Sequence, residues 1–153
     1  VDNRITEYLH SLEKSRGELL DTIEKKAVEE GVPIIRSETA ALLRSLTAAL
    51  RPENILEIGT AVGYSALQMC QVMPENCHIT TIEKYEKRIP EAKENFRKAG
   101  EESRITFLEG DADMWLKELK GKQLETSSIV TIVQKVLRIL LAVIILKEFV
   151  HLI

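Results

Sequence analysis

The sequence predicts a single α/β domain with a doubly wound, Rossmann-like sheet and extra helices at its N-terminal end. Between residues 53 and 122, short apolar segments alternate with longer amphipathic ones, as in strands joined by crossover helices in a parallel sheet. The first 50 residues show only the three- and four-residue spacing of helices. We therefore expect a helical layer in 1–50, βαβ units in 53–122 and an atypical tail in 123–153.

The composition excludes several classes of protein. The 153 residues suffice for one domain, and 44% hydrophobic with 29% charged residues fits neither a disordered chain nor a membrane protein. A net charge of -3 gives no general attraction to nucleic acid or anionic membranes, so we expect a cytoplasmic protein with no membrane contact. Cys70 and Cys77 lack the spacing and the further ligands of a metal site, which predicts two reduced thiols.

Three helices are expected before the first strand, over residues 5–12, 18–30 and 37–50. The apolar side of the second helix should include Val28. Gly31 should end that helix, because glycine readily adopts the left-handed conformation of a C-terminal cap. Ser37 is the expected N-cap of the third helix.

Three strand-and-helix units follow. The predicted strands are 54–58, 78–82 and 104–108, and the helices after them are 65–73, 86–99 and 111–119. Gly100 and Gly121 stand after the second and third helices, where glycine commonly ends a helix. Because a helix separates successive strands, the strands should be parallel, with their carboxyl ends at one edge of the sheet.

The tail differs from the units before it. Residues 123–153 contain no glycine and no proline, and their apolar run over 139–146 is far shorter than the roughly 20 residues of a membrane span. We predict a strand at 129–133, a helix at 134–141 and a strand at 142–146.

The most informative segment is the turn after the first strand, from Gly59 to Ser65. Gly59 allows a sharp turn and a close approach to a ligand, and the helix that begins near Ser65 offers backbone N–H groups to a carboxylate. A dinucleotide motif would have glycine in place of Ala61 and Tyr64, and a P-loop would have lysine after Gly63. NAD, FAD and nucleoside triphosphates are therefore disfavoured, and a mononucleoside with a small zwitterionic tail is favoured.

Acidic residues stand at the ends of the next two strands. Glu83 follows the glycine turn by roughly 20 residues, where a carboxylate can accept hydrogen bonds from ribose hydroxyls. Asp111 follows the third strand, where it can cap the next helix or accept a hydrogen bond from an adenine amino group.

Taken together, these residues resemble the catechol O-methyltransferase-like family of class I S-adenosylmethionine-dependent methyltransferases. The resemblance is closest to the bacterial branch, some members of which methylate 5-hydroxyuridine in tRNA. It covers about Val32 to Lys122 and rests on four segments, 32–39, 57–65, 81–83 and 109–112. It implies methyl transfer from S-adenosylmethionine to a hydroxyl acceptor, either a catechol-like small molecule or tRNA.

The resemblance also implies the residues that contact the cofactor. Those expected at the methionine end are Ile35, Gly59, Ala61, Gly63 and Ser65. Glu83 is expected to hold the ribose, and Asp111 and Ala112 to border the adenine. The amphipathic N-terminal helices and the apolar strands of an incomplete sheet suggest, in addition, a homodimer.

The tail departs from the family pattern. Family members use a divalent metal, usually magnesium, bound by an Asp at the end of the fourth strand and an Asp-Asn pair at the end of the fifth. Here the fourth strand is followed by Gln134 and Lys135, and the fifth by Lys147 and Glu148. No metal ligand and no catalytic residue can be nominated, which points to omitted segments or to an altered reading frame in the tail.

Two other functions stay open. A non-catalytic interaction domain with a vestigial nucleotide cleft would bind cofactor without methyl transfer. An NAD-dependent enzyme would be saturated by NAD and not by S-adenosylmethionine.

Overall fold

A computed structural model describes residues 3–12, 15–119, 128–132 and 142–146. Its helices are α1 Asn3–Ser11, α2 Glu18–Glu29, α3 Ser37–Leu50, α4 Tyr64–Cys70, α5 Ile89–Ala99 and α6 Ala112–Leu119. Its strands are β1 Asn54–Ile58, β2 His78–Glu83, β3 Ile105–Glu109, β4 Ser128–Ile132 and β5 Ala142–Leu146. These elements confirm the predicted α/β class and the helical N-terminal layer. None of the helices in these described ranges is long and apolar enough to cross a membrane.

The five strands form one sheet in the order β3-β2-β1-β4-β5. The first four strands in that order pair in parallel, which confirms the predicted βαβ units. β1 has β2 on one side and β4 on the other, so the chain changes direction across the sheet at β1. In open α/β sheets the crevice at such a point, beyond the carboxyl ends of the strands, is the usual ligand site.

The last strand departs from the doubly wound pattern, because β5 runs antiparallel to β4. A uniformly apolar strand gives no indication of its direction, which is why the sequence alone did not show this reversal. The predicted helix at 134–141 and the predicted helix end at Gly121 lie outside the described residues.

The two faces of the sheet bury different clusters of side chains. The main core joins α2, α3, α4 and α5 to one face, and it includes Leu20, Ile23, Leu43, Ile55, Leu67, Ile79 and Phe96. The second core lies on the other face, where Leu56 and Ile82 pack with half-buried residues that include Trp115 of α6. Because alternate side chains of a strand point to opposite faces, Glu57 shares the face of Ile55.

Several predicted helix boundaries were wrong. Ser37 is the first residue of α3, and Arg36, in an extended conformation, takes the N-cap position. α4 ends at Cys70 rather than at residue 73, and in the turn that follows the amides of Val72 and Met73 both donate to the carbonyl of Met69.

The prediction that Val28 belongs to the apolar side of α2 was also wrong. The buried side of that helix consists of Leu20, Ile23 and Ala27. Val28 follows Ala27 by one residue, about 100° around the helix, and 68% of its surface is exposed. Apolar character alone did not distinguish the two faces at this position.

Candidate functional site

The turn between β1 and α4 is held in a left-handed conformation at three positions. The φ angles of Gly59, Ala61 and Gly63 are 94°, 48° and 84°. The amides of Gly59 and Thr60 donate to the carbonyl of Ile82, over 2.8 Å and 3.2 Å. The turn is therefore fixed to the carboxyl end of β2, at the edge of the sheet where the sequence predicted a ligand site.

Glu83, at the end of β2, connects this turn to the segment that follows β2. Its Oε2 accepts a hydrogen bond from the amide of Ala61, and its Oε1 accepts one from the amide of Tyr85, both over 2.8 Å. The residue is 9% exposed. A carboxylate oxygen can accept two hydrogen bonds, so these two bonds leave acceptor capacity on each oxygen. The predicted contact with a ribose is compatible with this arrangement.

Glu57, to which the sequence analysis assigned no role, lies next to the predicted site residues. It is fully buried near the carboxyl end of β1, two residues before Gly59. The hydroxyl of Thr81 donates to Oε2 over 2.6 Å, and the hydroxyl of Ser65 donates to Oε1. A second hydroxyl pair, between Thr60 and Thr81 at 2.6 Å, extends this network into the turn. The available indication in the sequence was a single carboxylate within the otherwise apolar segment Ile55–Ile58.

The environment of Glu57 alters its ionisation. Burial raises the pKa of this carboxyl to about 7, and the negative charge of Glu83 adds to the rise. The hydrogen bonds from Ser65 and Thr81 act in the opposite direction, because they stabilise the ionised form. Within the described part of the chain, no cationic side chain contributes to this balance.

Gly63 begins α4 at a position where no side chain fits. A β-carbon there would lie 2.5 Å from Cε1 and 2.9 Å from Cζ of Phe96 in α5. The neighbouring carbonyl of Val62 accepts a hydrogen bond from the buried Nδ2 of Asn95 over 2.8 Å. The glycine therefore allows the turn before α4 to pack closely against α5. The predicted contact of Gly63 with the cofactor stays a prediction for its backbone atoms.

The residues after β3 lie beside Glu83. The amide of Gly110 donates to the carbonyl of Glu83 over 2.9 Å. Asp111 caps α6, because its Oδ1 accepts from the amide of Asp113 over 2.9 Å. Its Oδ2 lies 3.4 Å from Nζ of Lys84. The bond from the Asp113 amide is the main reason that the pKa of the Asp111 carboxyl is lowered, with a further contribution from Lys84.

The predicted site residues thus differ in their surroundings. Gly59, Ala61, Glu83 and Asp111 lie at the carboxyl ends of β1, β2 and β3. Ala112 is half-buried in the second core, and Ile35 is half-buried against the main core. The hydroxyl of Ser65 is buried against Glu57 rather than open to solvent.

The described residues do not support the divalent metal that the resemblance implies. In these ranges there is no group of three or more His, Cys, Asp or Glu side chains that could hold an ion. The tail residues Gln134, Lys135, Lys147 and Glu148, on which the prediction of missing ligands rested, lie outside the described residues. No metal-dependent step follows from the described part of the chain.

The chain is similar to known O-methyltransferases in both sequence and fold. A sequence model of the O-methyltransferase family matches residues 10–133. Catechol O-methyltransferase B of Danio rerio is 28% identical over 86 residues, which are 56% of this chain and 33% of that protein. Catechol O-methyltransferase of Niastella koreensis is 33% identical over 86 residues, which are 55% of this chain and 39% of that protein. The chain thus matches well under half the length of these curated relatives.

Two solved structures show the same fold. The O-methyltransferase TomG of Streptomyces achromogenes, in complex with SAM, has a TM-score of 0.75 at 23% identity, over 86% of this chain and 60% of that one. The O-methyltransferase of Bacillus cereus, in complex with SAH, has a TM-score of 0.74 at 21% identity, over 84% of this chain and 60% of that one.

Proposed function

The chain belongs to the O-methyltransferase family, and from this premise we propose that it binds S-adenosylmethionine at the carboxyl ends of β1, β2 and β3 and serves methyl transfer to a hydroxyl acceptor. One observation carries the proposal. The nearly buried carboxylate of Glu83 borders the left-handed turn at Ala61 and keeps acceptor capacity on both oxygens.

The chemistry of the described residues fits this cofactor. Bound S-adenosylmethionine supplies an electrophilic methyl group on a sulfonium centre. Glu83 would accept hydrogen bonds from the two ribose hydroxyls, and Asp111 and Ala112 would border the adenine. Gly59, Ala61, Gly63 and Ser65 would lie at the methionine end, where the absence of a side chain at Gly59 allows close approach. Ile35 would pack over the methionyl part.

We infer that the acceptor is a small molecule with a hydroxyl group. Two of the curated relatives are named as catechol O-methyltransferases, which supports this class of acceptor. A hydroxylated uridine of tRNA is the alternative acceptor. The homodimer and the cytoplasmic location stay predictions.

The role of Glu83 can be tested by the binding of two nucleosides. Adenosine and 2′,3′-dideoxyadenosine differ only in the ribose hydroxyls, so calorimetric titration of both reports the contact with those hydroxyls. The wild type should bind adenosine at least roughly tenfold more tightly, as expected for hydrogen bonds to a charged group. Glu83→Gln should reduce this preference and weaken S-adenosylmethionine binding.

The matched control is Glu86→Gln, which removes the same charge from an exposed residue just after β2. It should leave both affinities unchanged. If the role of Glu83 were purely structural, Glu83→Gln would weaken the binding of both nucleosides equally. Equal affinities of the wild type for the two nucleosides would contradict the proposed ribose contact.

Methyl transfer is tested separately. Purified protein is incubated with S-adenosylmethionine carrying a labelled methyl group, with magnesium in the buffer, and with either catechol or bulk tRNA that contains 5-hydroxyuridine. Label on catechol would support the proposed acceptor class, and label on tRNA alone would favour the alternative. Cofactor binding with transfer to neither would favour the non-catalytic interaction domain.

A further inference from the structure

Two different parts of the chain hold the turn 59–63. The first half of this turn is bound to the end of β2, where the carbonyl of Ile82 accepts hydrogen bonds from the first two amides of the turn. The second half is bound to α5, where Nδ2 of Asn95 donates to the carbonyl of Val62 over 2.8 Å. A side chain of α5 therefore supports the part of the turn that β2 does not reach.

The bond from Asn95 completes the pairing of one peptide group. The peptide that joins Val62 to Gly63 has its carbonyl bonded to Asn95, and its N–H bonded to the carbonyl of Thr60 over 2.8 Å. Because the two polar groups of a trans peptide point in opposite directions, these bonds hold the peptide from both sides. Asn95 and Val62 are both buried, so water does not readily replace the donor.

The backbone of this turn needs such support. Ala61 and Gly63, on either side of Val62, have φ angles of 48° and 84°, and the left-handed conformation is unfavourable for alanine. A strained conformation persists only where the surrounding contacts hold it. If the donor at residue 95 is lost, the buried carbonyl of Val62 has no partner, and we expect its peptide to rotate toward another donor. Ala61 and Gly63 would then change position.

From this arrangement we propose that Asn95 is a positioning residue of the cofactor site, which holds the peptide between Val62 and Gly63 in the orientation that the methionyl part of the cofactor requires. The inference rests on the proposed function, since that function places S-adenosylmethionine at this turn. Asn95 belongs to α5 and acts on the ligand through the backbone of the turn.

The proposal predicts a loss at one end of the ligand. In the proposed function the turn meets the methionyl part, whereas Glu83 and Asp111 meet the adenosine part. Removal of the Asn95 donor should therefore weaken the binding of S-adenosylmethionine and leave the binding of adenosine, which lacks the methionyl part, almost unchanged. A general loss of stability would weaken the binding of both ligands alike.

Asn95→Asp is the main variant, because its capacity to donate depends on pH. The ionised carboxylate cannot donate to the carbonyl of Val62 and repels it, whereas the protonated carboxyl can donate through its O–H. Burial should raise the pKa of the introduced carboxyl, since residue 95 is 7% exposed. Asn95→Leu has a side chain that branches at the same carbon and cannot donate at any pH.

The test is calorimetric titration of the wild type and both variants with S-adenosylmethionine and with adenosine, at pH 5 and pH 8. At pH 8 both variants should bind S-adenosylmethionine at least roughly fivefold more weakly than the wild type, and adenosine within about twofold of it. At pH 5 the deficit of Asn95→Asp should shrink, and that of Asn95→Leu should not. Glu57, whose pKa is also raised, titrates in all three proteins, so each affinity is compared with that of the wild type at the same pH.

The matched control is Asn76→Asp, which makes the same chemical change at an exposed residue. Asn76 precedes β2, at the end of the sheet opposite to the turn. This variant should bind both ligands as the wild type does at both pH values.

A measurement on the wild type keeps the inference testable if neither variant at residue 95 folds. The NMR signals of the Asn95 side-chain amide report on its hydrogen bond to Val62. They should move when S-adenosylmethionine binds, because contact of the ligand with the turn acts on that carbonyl, and they should move less with adenosine. Signals that neither ligand moves would overturn the inference.

The outcomes separate the inference from the function on which it rests. No binding of S-adenosylmethionine to the wild type would overturn both. If the wild type binds it and the two variants bind it equally well, or if the variants weaken both ligands by the same factor, the positioning role of Asn95 alone is wrong. A deficit of Asn95→Asp that is the same at pH 5 and pH 8 would also contradict that role.

Discussion

The ring of Phe96 occupies the space that a side chain at Gly63 would need, because a β-carbon there would lie 2.5 Å from Cε1 of the ring. Gly63→Ala should therefore lower the free energy of unfolding by about 3 kcal/mol, since it combines left-handed strain at a φ of 84° with overpacking. Urea denaturation measures this loss.

Gly100→Ala is the matched control for that variant. Gly100 is also left-handed, at a φ of 71°, but no heavy atom lies within 4 Å of a β-carbon placed there. Only the backbone strain remains, so the expected loss is about 1 kcal/mol. Adding Phe96→Leu to Gly63→Ala should cost less than the two single losses combined, because the pair is in contact. Equal losses of unfolding free energy in Gly63→Ala and Gly100→Ala would contradict the packing role of Gly63. A loss in the double variant that equals the sum of the two single losses would contradict it as well.

The buried carboxyl of Glu57 should make the stability of the protein depend on pH. Its pKa is raised in the folded state, so the folded protein keeps this proton as the pH rises past 4.5, whereas the unfolded chain loses it. The stabilisation that comes from the protonated Glu57 carboxyl is therefore complete below pH 4.5, and it is lost as the pH rises to about 7. A rise from 4.5 to about 7 corresponds to about 3 kcal/mol.

Glu57→Gln removes this titration and isolates its effect. Urea denaturation of both proteins from pH 4.5 to pH 8 should show that the wild type loses stability relative to the variant as the pH rises. A difference between the two proteins that stays constant over this range would contradict the raised pKa.

A hydrogen bond between distant helices should contribute to stability. The hydroxyl of Tyr64, at the start of α4, donates to Oε2 of Glu24 in α2 over 2.9 Å, and Tyr64 is buried. Tyr64→Phe should cost about 2 kcal/mol, the usual range for a bond to a charged acceptor. Tyr8→Phe, at an exposed position of α1, should have no measurable effect on the thermal midpoint. If Tyr64→Phe lost no more stability than Tyr8→Phe, the hydrogen bond between Tyr64 and Glu24 would contribute nothing to stability.

The two cysteines should be unreactive in the folded protein. Both are buried, burial raises the pKa of Cys70 to about 12, and burial raises that of Cys77 as well. The thiolate is the reactive species, so a disulfide reagent at pH 8 should label neither thiol rapidly. In denaturant both thiols should react, so that complete labelling corresponds to two thiols per chain. Rapid labelling of one thiol without denaturant would contradict the burial.

The sequence was sufficient for the elements that carry a periodic pattern or a glycine. The alternation in 53–122 predicted β1, β2 and β3 and their parallel order, and the glycine turn and Glu83 were located at one edge of the sheet. Packing information was missing from the same patterns. The contact between Gly63 and Phe96 joins residues 33 positions apart in the sequence, so no local pattern indicated that this glycine also packs against a helix.

Glu57 was missed for a related reason. Its side chain is explained by hydrogen bonds from Ser65 and Thr81, which lie on other elements, and no pattern in the sequence pairs either residue with Glu57. The direction of β5 depends on pairing with β4 and has no local pattern. What the sequence did not provide is therefore the set of contacts between elements.

The strand order also bears on how the chain assembles. Asn54 pairs with His78, 24 residues later, and with Ser128, 74 residues later. Closing the longer loop costs about 1 kcal/mol more in chain entropy. As the polypeptide leaves the ribosome, β1, β2 and β3 can pair before β4 has been synthesised. Until then one edge of β1 is open, and a chaperone that binds exposed strand edges would find its target there.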